Sequence, residues 1–160
     1  SINFPLKWKL SKVLMKNISA VDTMIFELND KWWMFSNIDP TGSDYHCFEL
    51  RIFYADNPLS ENWVPHPKNP IFCDASVARN GGILHKEGSC YRVSQNCGFD
   101  KYGAGFSINK ITVLDTEDYV EETLTRIEPN FFKNIQGCHH IDSKNNITVF
   151  DYVKFSKLGN

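Results

Sequence analysis

Residues 77–96, VARNGGILHKEGSCYRVSQN, give the clearest indication of how this chain folds. Two runs of strand-forming residues, 82–85 and 89–94, flank the turn signal Lys86-Glu87-Gly88, and this pattern predicts a β-hairpin. Similar pairs of runs lie before and after it, at 21–28 with 32–38 and at 138–141 with 147–153. No segment has a sustained helical period with both caps, so we expect an all-β chain.

The three predicted hairpins recur at a fixed spacing. Their turn residues Asp30, Gly88 and Asn146 are 58 residues apart (88 − 30 and 146 − 88). Further strand-like runs follow each of the first two hairpins, at 47–55 and around Trp63, then at 105–114 and 119–127. A repeat of this length with four strands per unit favours a β-propeller over a β-sandwich.

The chain is predicted to be one partial unit, about half of a five-bladed propeller with four-stranded antiparallel blades. Residues 1–20 are expected to form the outer strand of a preceding blade, because apolar and polar residues alternate after Pro5. Residues 21–70 and 71–130 are then two blades, and 131–160 is the inner hairpin of the last blade. The open edges predict self-association or pairing with missing N-terminal blades.

Composition excludes several classes of partner. Seventeen basic residues against 19 acidic ones give a formal charge of −2, without a basic block that would bind nucleic acid. No apolar run reaches the roughly 18 residues needed to cross a bilayer, and no signal peptide is recognisable. We therefore expect neither a nucleic acid nor a membrane as partner.

The five cysteines include no Cys-x-x-Cys pair, which predicts buried free thiols rather than disulfides. Free thiols favour a reducing compartment, so a cytoplasmic location is expected. No metal site is expected, because adjacent residues such as His139 and His140 point to opposite faces of a strand. No cofactor is expected either: Gly103-Ala104-Gly105 lacks the third glycine of a dinucleotide loop.

A set of short motifs resembles one known family. These are His66-Pro67-x-Asn69-Pro70-Ile71, Asp74, Arg79-x-Gly81-Gly82, Gly88-x-x-Tyr91-Arg92-x-x-Gln95, Tyr102-Gly103, Ile111-x-x-Leu114, Tyr119-x-Glu121 and Gly137-x-His139. They resemble the N-terminal propeller domain of plant glucosamine inositolphosphorylceramide transferases and bacterial relatives. That domain is similar to the five-bladed propellers of glycoside hydrolase families 32, 43, 62 and 68. The resemblance implies a carbohydrate-facing site at the mouth of a central channel.

The 58-residue register places Asp22, Asn80 and Cys138 at equivalent positions, each at the start of an innermost strand. Because innermost strands approach the propeller axis, we expect Asp22, Arg79 and His139 to converge there. Asp22 is the candidate catalytic residue, and Arg79 and His139 are candidate sugar-binding residues. The structural alternative for Asp22 is a hydrogen-bonding cap at a strand end, and those for Arg79 are an ion pair with Asp74 or a tie between blades.

Two more residues are candidates for substrate binding. Gln95 lies on the second strand of the central hairpin, and Tyr102 lies in a loop where its ring can stack on a sugar. Both have a structural alternative, a tie between blades for Gln95 and a loop anchor for Tyr102. Arg92 is expected to have a structural role.

The leading functional hypothesis is a carbohydrate-recognising or carbohydrate-processing propeller that resembles glycosidases in fold. The alternative is a non-catalytic scaffold or protein-interaction module of a larger sugar-modifying protein. Glycoside hydrolysis requires two carboxyl groups across the scissile bond. Only Asp22 is well placed, so enzymatic activity is left open and depends on a second carboxylate from a missing segment.

Overall fold

The computed structural model describes residues 3–98 and 103–154, and all regular structure in these ranges is β-strand. The all-β prediction is therefore confirmed. No helix among the described residues is long and apolar enough to span a membrane.

The first sheet has the antiparallel order β1-β2-β3-β4, and a fifth short strand, β5, also pairs with β3. Its strands are β1 (Ala20–Leu28), β2 (Lys31–Ile38), β3 (Glu49–Ala55), β4 (Val64–Pro65) and β5 (Phe72–Cys73). Strand β5 lies beyond residue 70, where the sequence predicted the first blade to end, yet it pairs with β3 of the first sheet.

The second sheet is four-stranded and antiparallel, in the order β6-β7-β8-β9. It contains β6 (Asn80–Lys86), β7 (Ser89–Gln95), β8 (Phe106–Leu114) and β9 (Tyr119–Ile127). A third unit follows, in which β10 (Ile135–Gly137) pairs with β13 (Val153–Lys154), and β11 (Ile141–Lys144) pairs with β12 (Ile147–Phe150).

Strand pairing confirms the 58-residue register of the three hairpins. Equivalent partners face each other in all three, namely Phe26 with Trp33, Leu84 with Tyr91 and Asp142 with Val149. Each hairpin turns on two residues of positive φ: Asn29-Asp30 (53° and 57°), Glu87-Gly88 (51° and 74°) and Asn145-Asn146 (52° and 64°). Two positive φ values in succession define the type I′ turn, whose twist matches that of the flanking strands.

The main hydrophobic core lies between the first and second sheets. Phe26, Trp33, Phe35, Leu50 and Ile52 come from the first sheet, and Cys90, Ile111, Leu114 and Tyr119 from the second. Burial of an aliphatic or aromatic side chain contributes roughly 1.5–3 kcal/mol. The packing of one sheet face on the next is therefore a principal source of stability.

The strand expected within residues 1–20 is absent from the described part of that segment, residues 3–19, which has only an isolated bridge between Asn3 and Lys7. Phe4, Leu6 and Trp8 are exposed by 69% or more. A strand needs a hydrogen-bonded neighbour, and none of the described strands pairs with this segment. The end of the segment is anchored differently: Leu14, Met15 and Ile18 pack against the cluster around Met34 and Trp63.

A buried ion pair holds the second sheet together. Arg92 is fully buried, and its Nε and Nη2 donate to Glu121 Oε2 and Oε1 at 2.7 and 2.6 Å. Arg92 Nη2 also donates to the Val77 carbonyl at 2.8 Å, and the guanidinium lies 5.3 Å from the centroid of the Phe72 ring. The structural role expected for Arg92 is thereby explained by its contacts.

We predict that Glu121→Gln lowers the free energy of unfolding by about 3–5 kcal/mol, because it leaves a buried cation without its counter-charge. Replacing both partners, Arg92→Met with Glu121→Gln, is expected to recover most of this loss, since Met34 occupies the equivalent position in the first sheet. Urea unfolding monitored by tryptophan fluorescence measures both. Arg126→Met, in the exposed pair with Glu128, is the control and should leave stability unchanged.

We also predict that Glu87→Asn raises the free energy of unfolding by about 0.5–1 kcal/mol, because asparagine tolerates the left-handed backbone conformation better than glutamate. Thermal unfolding by circular dichroism measures the gain. Glu87→Gln removes the same charge without the conformational benefit, and an equal gain in that variant would contradict the explanation.

Candidate functional site

Asp22 occupies an unusual backbone position in β1. Its φ is 48°, and the register of β1 against β2 shifts between Val21 and Met24, as in a β-bulge. A non-glycine residue in this region costs free energy and is held there by its surroundings. The bulge turns the Asp22 carboxylate toward the second sheet, where Arg79 and Gln95 contact it.

The Asp22 carboxylate is held at one oxygen. Arg79 Nε donates to Asp22 Oδ2 at 2.6 Å, and Gln95 Nε2 donates to the same oxygen at 3.3 Å. Within the described residues, Asp22 Oδ1 accepts no hydrogen bond, and the Asp22 side chain is 31% exposed. One carboxylate oxygen is thus fixed while the side chain keeps contact with solvent.

Arg79 is more deeply placed, with a side chain 15% exposed. Its Nη1 donates to Cys47 Sγ at 3.1 Å. Burial acts to lower the pKa of Arg79, but Cys47 and the Asp22 carboxylate outweigh it and hold the pKa above its ordinary value. The guanidinium therefore stays charged and keeps Asp22 oriented.

Gln95 joins this arrangement from β7. Besides Asp22, its Nε2 donates to the Asn80 carbonyl at 2.6 Å, while Cys97 Sγ donates to Gln95 Oε1 at 3.9 Å. Burial, with Cys47 nearby, raises the pKa of Cys97 to about 11, so this thiol is protonated at neutral pH. We call Asp22, Cys47, Arg79, Asn80 and Gln95 the Asp22 cluster.

Asn80 is fixed from two sides. Its backbone N–H donates to Asn37 Oδ1 at 2.8 Å, its carbonyl accepts from Gln95, and its Nδ2 donates to the Asp22 carbonyl at 3.1 Å. Asn80 Oδ1 is buried and accepts no hydrogen bond from the described residues. Asn80 therefore lies in the core and holds the Asp22 backbone in place.

His139 has separate partners. Its Nδ1 contacts the Asp151 carboxylate, whose Oδ1 also accepts from the backbone N–H groups of His139 and His140 at 3.1 and 2.8 Å. A Cβ built on Gly81 would lie 2.5 Å from the His139 carbonyl oxygen, so the third unit touches β6 at a glycine. The contacts described for His139 thus lead to Asp151 and Gly81 rather than to the Asp22 carboxylate.

The structure brings Asp22, Arg79 and Gln95 together. The His139 backbone lies against Gly81, the residue that follows Asn80 in β6. Tyr102 lies outside the described residues. Of the two structural alternatives for Arg79, the ion pair with Asp74 was wrong, because Asp74 accepts from the Ser76 N–H at 2.8 Å within its own turn. The other, a tie between neighbouring units, agrees with the contact of Arg79 with Asp22 in the first sheet. The described residues contain no group of three or more His, Cys, Asp or Glu side chains able to hold a metal ion.

Sequence reasoning missed several residues of this region. Asn37 bridges the two sheets, Cys47 contacts Arg79, and Asp151 holds His139. One signal was available for Asn37: it lies 58 residues before Gln95, and both side chains are carboxamides. No local pattern indicated Cys47 or Asp151.

The fold and the cluster define a class: an all-β repeat domain with a polar, partly exposed cluster where two sheets meet. The family described as "Glucosamine inositolphosphorylceramide transferase 1, N-terminal" matches residues 1–151. The chain belongs to this family.

The similar proteins include relatives named "Glucosamine inositolphosphorylceramide transferase 1". The Arabidopsis thaliana protein is 36% identical over 159 residues, which cover 90% of this chain and 20% of the relative. The protein from Oryza sativa subsp. japonica is 39% identical over 122 residues, covering 74% of this chain and 16% of the relative. The chain thus spans a fifth or less of these proteins. No solved structure matches it significantly.

We predict that Gln95→Glu destabilises the protein in a pH-dependent manner. The new carboxyl would be buried beside Asp22 and opposite the Asn80 carbonyl, so its pKa in the folded state would rise above its unfolded value. Stability relative to wild type should be nearly normal below about pH 4 and fall as pH rises, reaching a loss of about 1–3 kcal/mol at pH 7. Urea unfolding across this pH range measures it.

Gln136→Glu serves as the control because Gln136 is exposed on β10. It should track wild type at every pH. A pH-independent loss in Gln95→Glu would show that the new carboxyl does not face Asp22.

Proposed function

We propose that this chain is a carbohydrate-recognising domain of a larger protein, with Asp22 as its principal sugar contact. One observation carries the proposal: Arg79 and Gln95 fix Oδ2 of a partly exposed carboxylate, whereas Oδ1 has no donor among the described residues. A carboxylate oxygen in this state accepts strongly from a sugar hydroxyl.

The rigidity of the cluster supports recognition. Asp22 is restrained by its bulge, by an ion pair and by Asn80, so little side-chain entropy remains to be lost when a ligand binds. Asn80 itself is buried, so it supports the cluster by holding the Asp22 backbone in place, through the hydrogen bond from its Nδ2 to the Asp22 carbonyl.

Family membership supports the same class of ligand. The name of the relatives mentions glucosamine and inositolphosphorylceramide, and each of these two compounds contains a polyhydroxylated ring. Because this chain matches a fifth or less of each relative, we assign it recognition and place sugar transfer elsewhere in the larger protein. We further propose that the two sheets and the third hairpin are blades of a propeller whose axis lies near Asp22.

Binding fits the cluster better than glycoside hydrolysis. Hydrolysis requires two carboxyl groups roughly 5–9.5 Å apart. Within the described residues, the partners of Asp22 are a guanidinium and two carboxamides, so the cluster contains one carboxylate.

Saturation-transfer NMR with glucosamine, glucose and myo-inositol tests this function. We expect at least one of these rings to bind wild type, and Asp22→Asn to weaken binding about tenfold, because a charged hydrogen bond contributes roughly 1.5–3 kcal/mol. Absence of binding to all three by folded wild type would contradict sugar recognition.

Asp74→Asn is the matched control. It makes the same chemical change in an aspartate whose contacts lie within its own turn. Circular dichroism first establishes that both variants are folded. Equal loss of binding in the two variants, or none in Asp22→Asn, would place the ligand away from the Asp22 cluster.

A further inference from the structure

The third hairpin exposes side chains whose counterparts are buried in both complete sheets. Met34 in β2 and Arg92 in β7 are 3% and 0% exposed, and Phe150 in β12, at the equivalent repeat position, is 37% exposed. Val149 is 64% exposed, whereas its counterpart Trp33 in the first sheet is 1% exposed and its counterpart Tyr91 in the second sheet is half-buried. These differences follow from pairing: β2 and β7 each lie between two strands, and β12 pairs with β11 alone among the described strands.

A groove lies beside this hairpin. It has a volume of about 1040 Å³ and is lined by apolar side chains of the second sheet, among them Ile83, Leu84 and Leu124, by Ile141 of the third unit, and by polar residues at the two hairpin ends. Between the first and second sheets, the corresponding space is filled by Ile111 and Leu114 of β8 and by Tyr119 of β9. The groove is therefore where a third and a fourth strand of the last unit would pack.

The repeat also indicates where the third strand lies in the sequence. Met34 pairs with Phe53 and Arg92 with Asn109, which are 19 and 17 residues further along (53 − 34 and 109 − 92). The same spacing from Phe150 reaches past residue 160. The relatives extend well beyond the matched region, since this chain spans a fifth or less of them.

We propose that β12 and the groove bind a β-strand from polypeptide that follows residue 160 in the longer protein. This strand pairs antiparallel with β12, as β3 does with β2 and β8 with β7. Its inward side chains cover Phe150 and the neighbouring rings of Phe131, Phe132 and Tyr152. Strand addition satisfies the open backbone groups of β12, and the apolar groove selects a strand with apolar residues on one face. The proposal does not rest on the sugar site.

Hydrogen–deuterium exchange compares the 160-residue chain with the full-length protein. We expect the backbone amides of β12 to exchange at least about tenfold more slowly in the full-length protein, because half of them gain a partner strand. Equal exchange in the two proteins would overturn the proposal. Sedimentation of the 160-residue chain tests whether a second copy of the chain binds this surface instead. A dimer that protects β12 and persists in the full-length protein would assign the surface to that second copy.

Two variants of the full-length protein provide an independent readout. Phe150→Asp should lower the melting temperature of this domain by about 5 °C or more, and by less in the 160-residue chain, where Phe150 is partly exposed. Ile147→Asp is the matched control, because its counterparts Lys31 and Ser89 are only half-buried in complete sheets. Equal losses in the long and short chains for Phe150→Asp would contradict strand addition.

Discussion

The carboxamide of Asn37 is the contact on which the arrangement of the two sheets depends. From β2 it donates to the carbonyls of Glu49 and Ala78 at 3.1 and 2.9 Å and accepts from the Asn80 N–H at 2.8 Å. All of these groups are buried, so loss of the side chain would leave several of them unsatisfied at roughly 1–3 kcal/mol each. Because Ala78 and Asn80 flank Arg79, the same contact fixes the position of the guanidinium that holds Asp22.

The same hairpin register occurs three times in the chain, and different residues at equivalent positions give each hairpin different contacts. Asp22, Asn80 and Cys138 share a position, yet the first provides a carboxylate, the second a bridging carboxamide, and the third a buried thiol. Met34 and Arg92 likewise occupy equivalent positions in the repeat. The Met34 side chain packs in an apolar cluster, whereas the Arg92 side chain forms an ion pair with Glu121. A conserved backbone register thus permits chemically different contacts, because hairpin pairing depends on turn geometry and burial pattern rather than on particular polar side chains.

Local signals in the sequence were sufficient for the hairpins and for the four main strands of each of the first two sheets. Turn residues at 58-residue intervals and period-two alternation are short-range properties, and the structure forms the turns at Asn29-Asp30, Glu87-Gly88 and Asn145-Asn146. The segment before residue 20 also alternates, but alternation without a neighbouring strand does not form a ladder. Side-chain partners were harder to predict, because the choice of Asp22 over Asp74 for Arg79 depends on a bulge and on the docking of two sheets. Neither is encoded within a short window.

Two arginine–carboxylate pairs differ in their access to solvent, and this difference explains why the proposed site lies at one of them. Arg92 and Arg79 each contact a carboxylate at 2.6 Å, but the Arg92–Glu121 side chains are 0% and 8% exposed and those of Arg79–Asp22 are 15% and 31% exposed. The Tyr119 hydroxyl closes the first pair, and burial keeps the pKa of that hydroxyl well above its ordinary value, so it remains a donor to Glu121. Glu121 therefore has no access to a ligand. Asp22 has an equally fixed geometry with an accessible side, and this combination of rigidity and exposure is what recognition of a hydroxyl group requires.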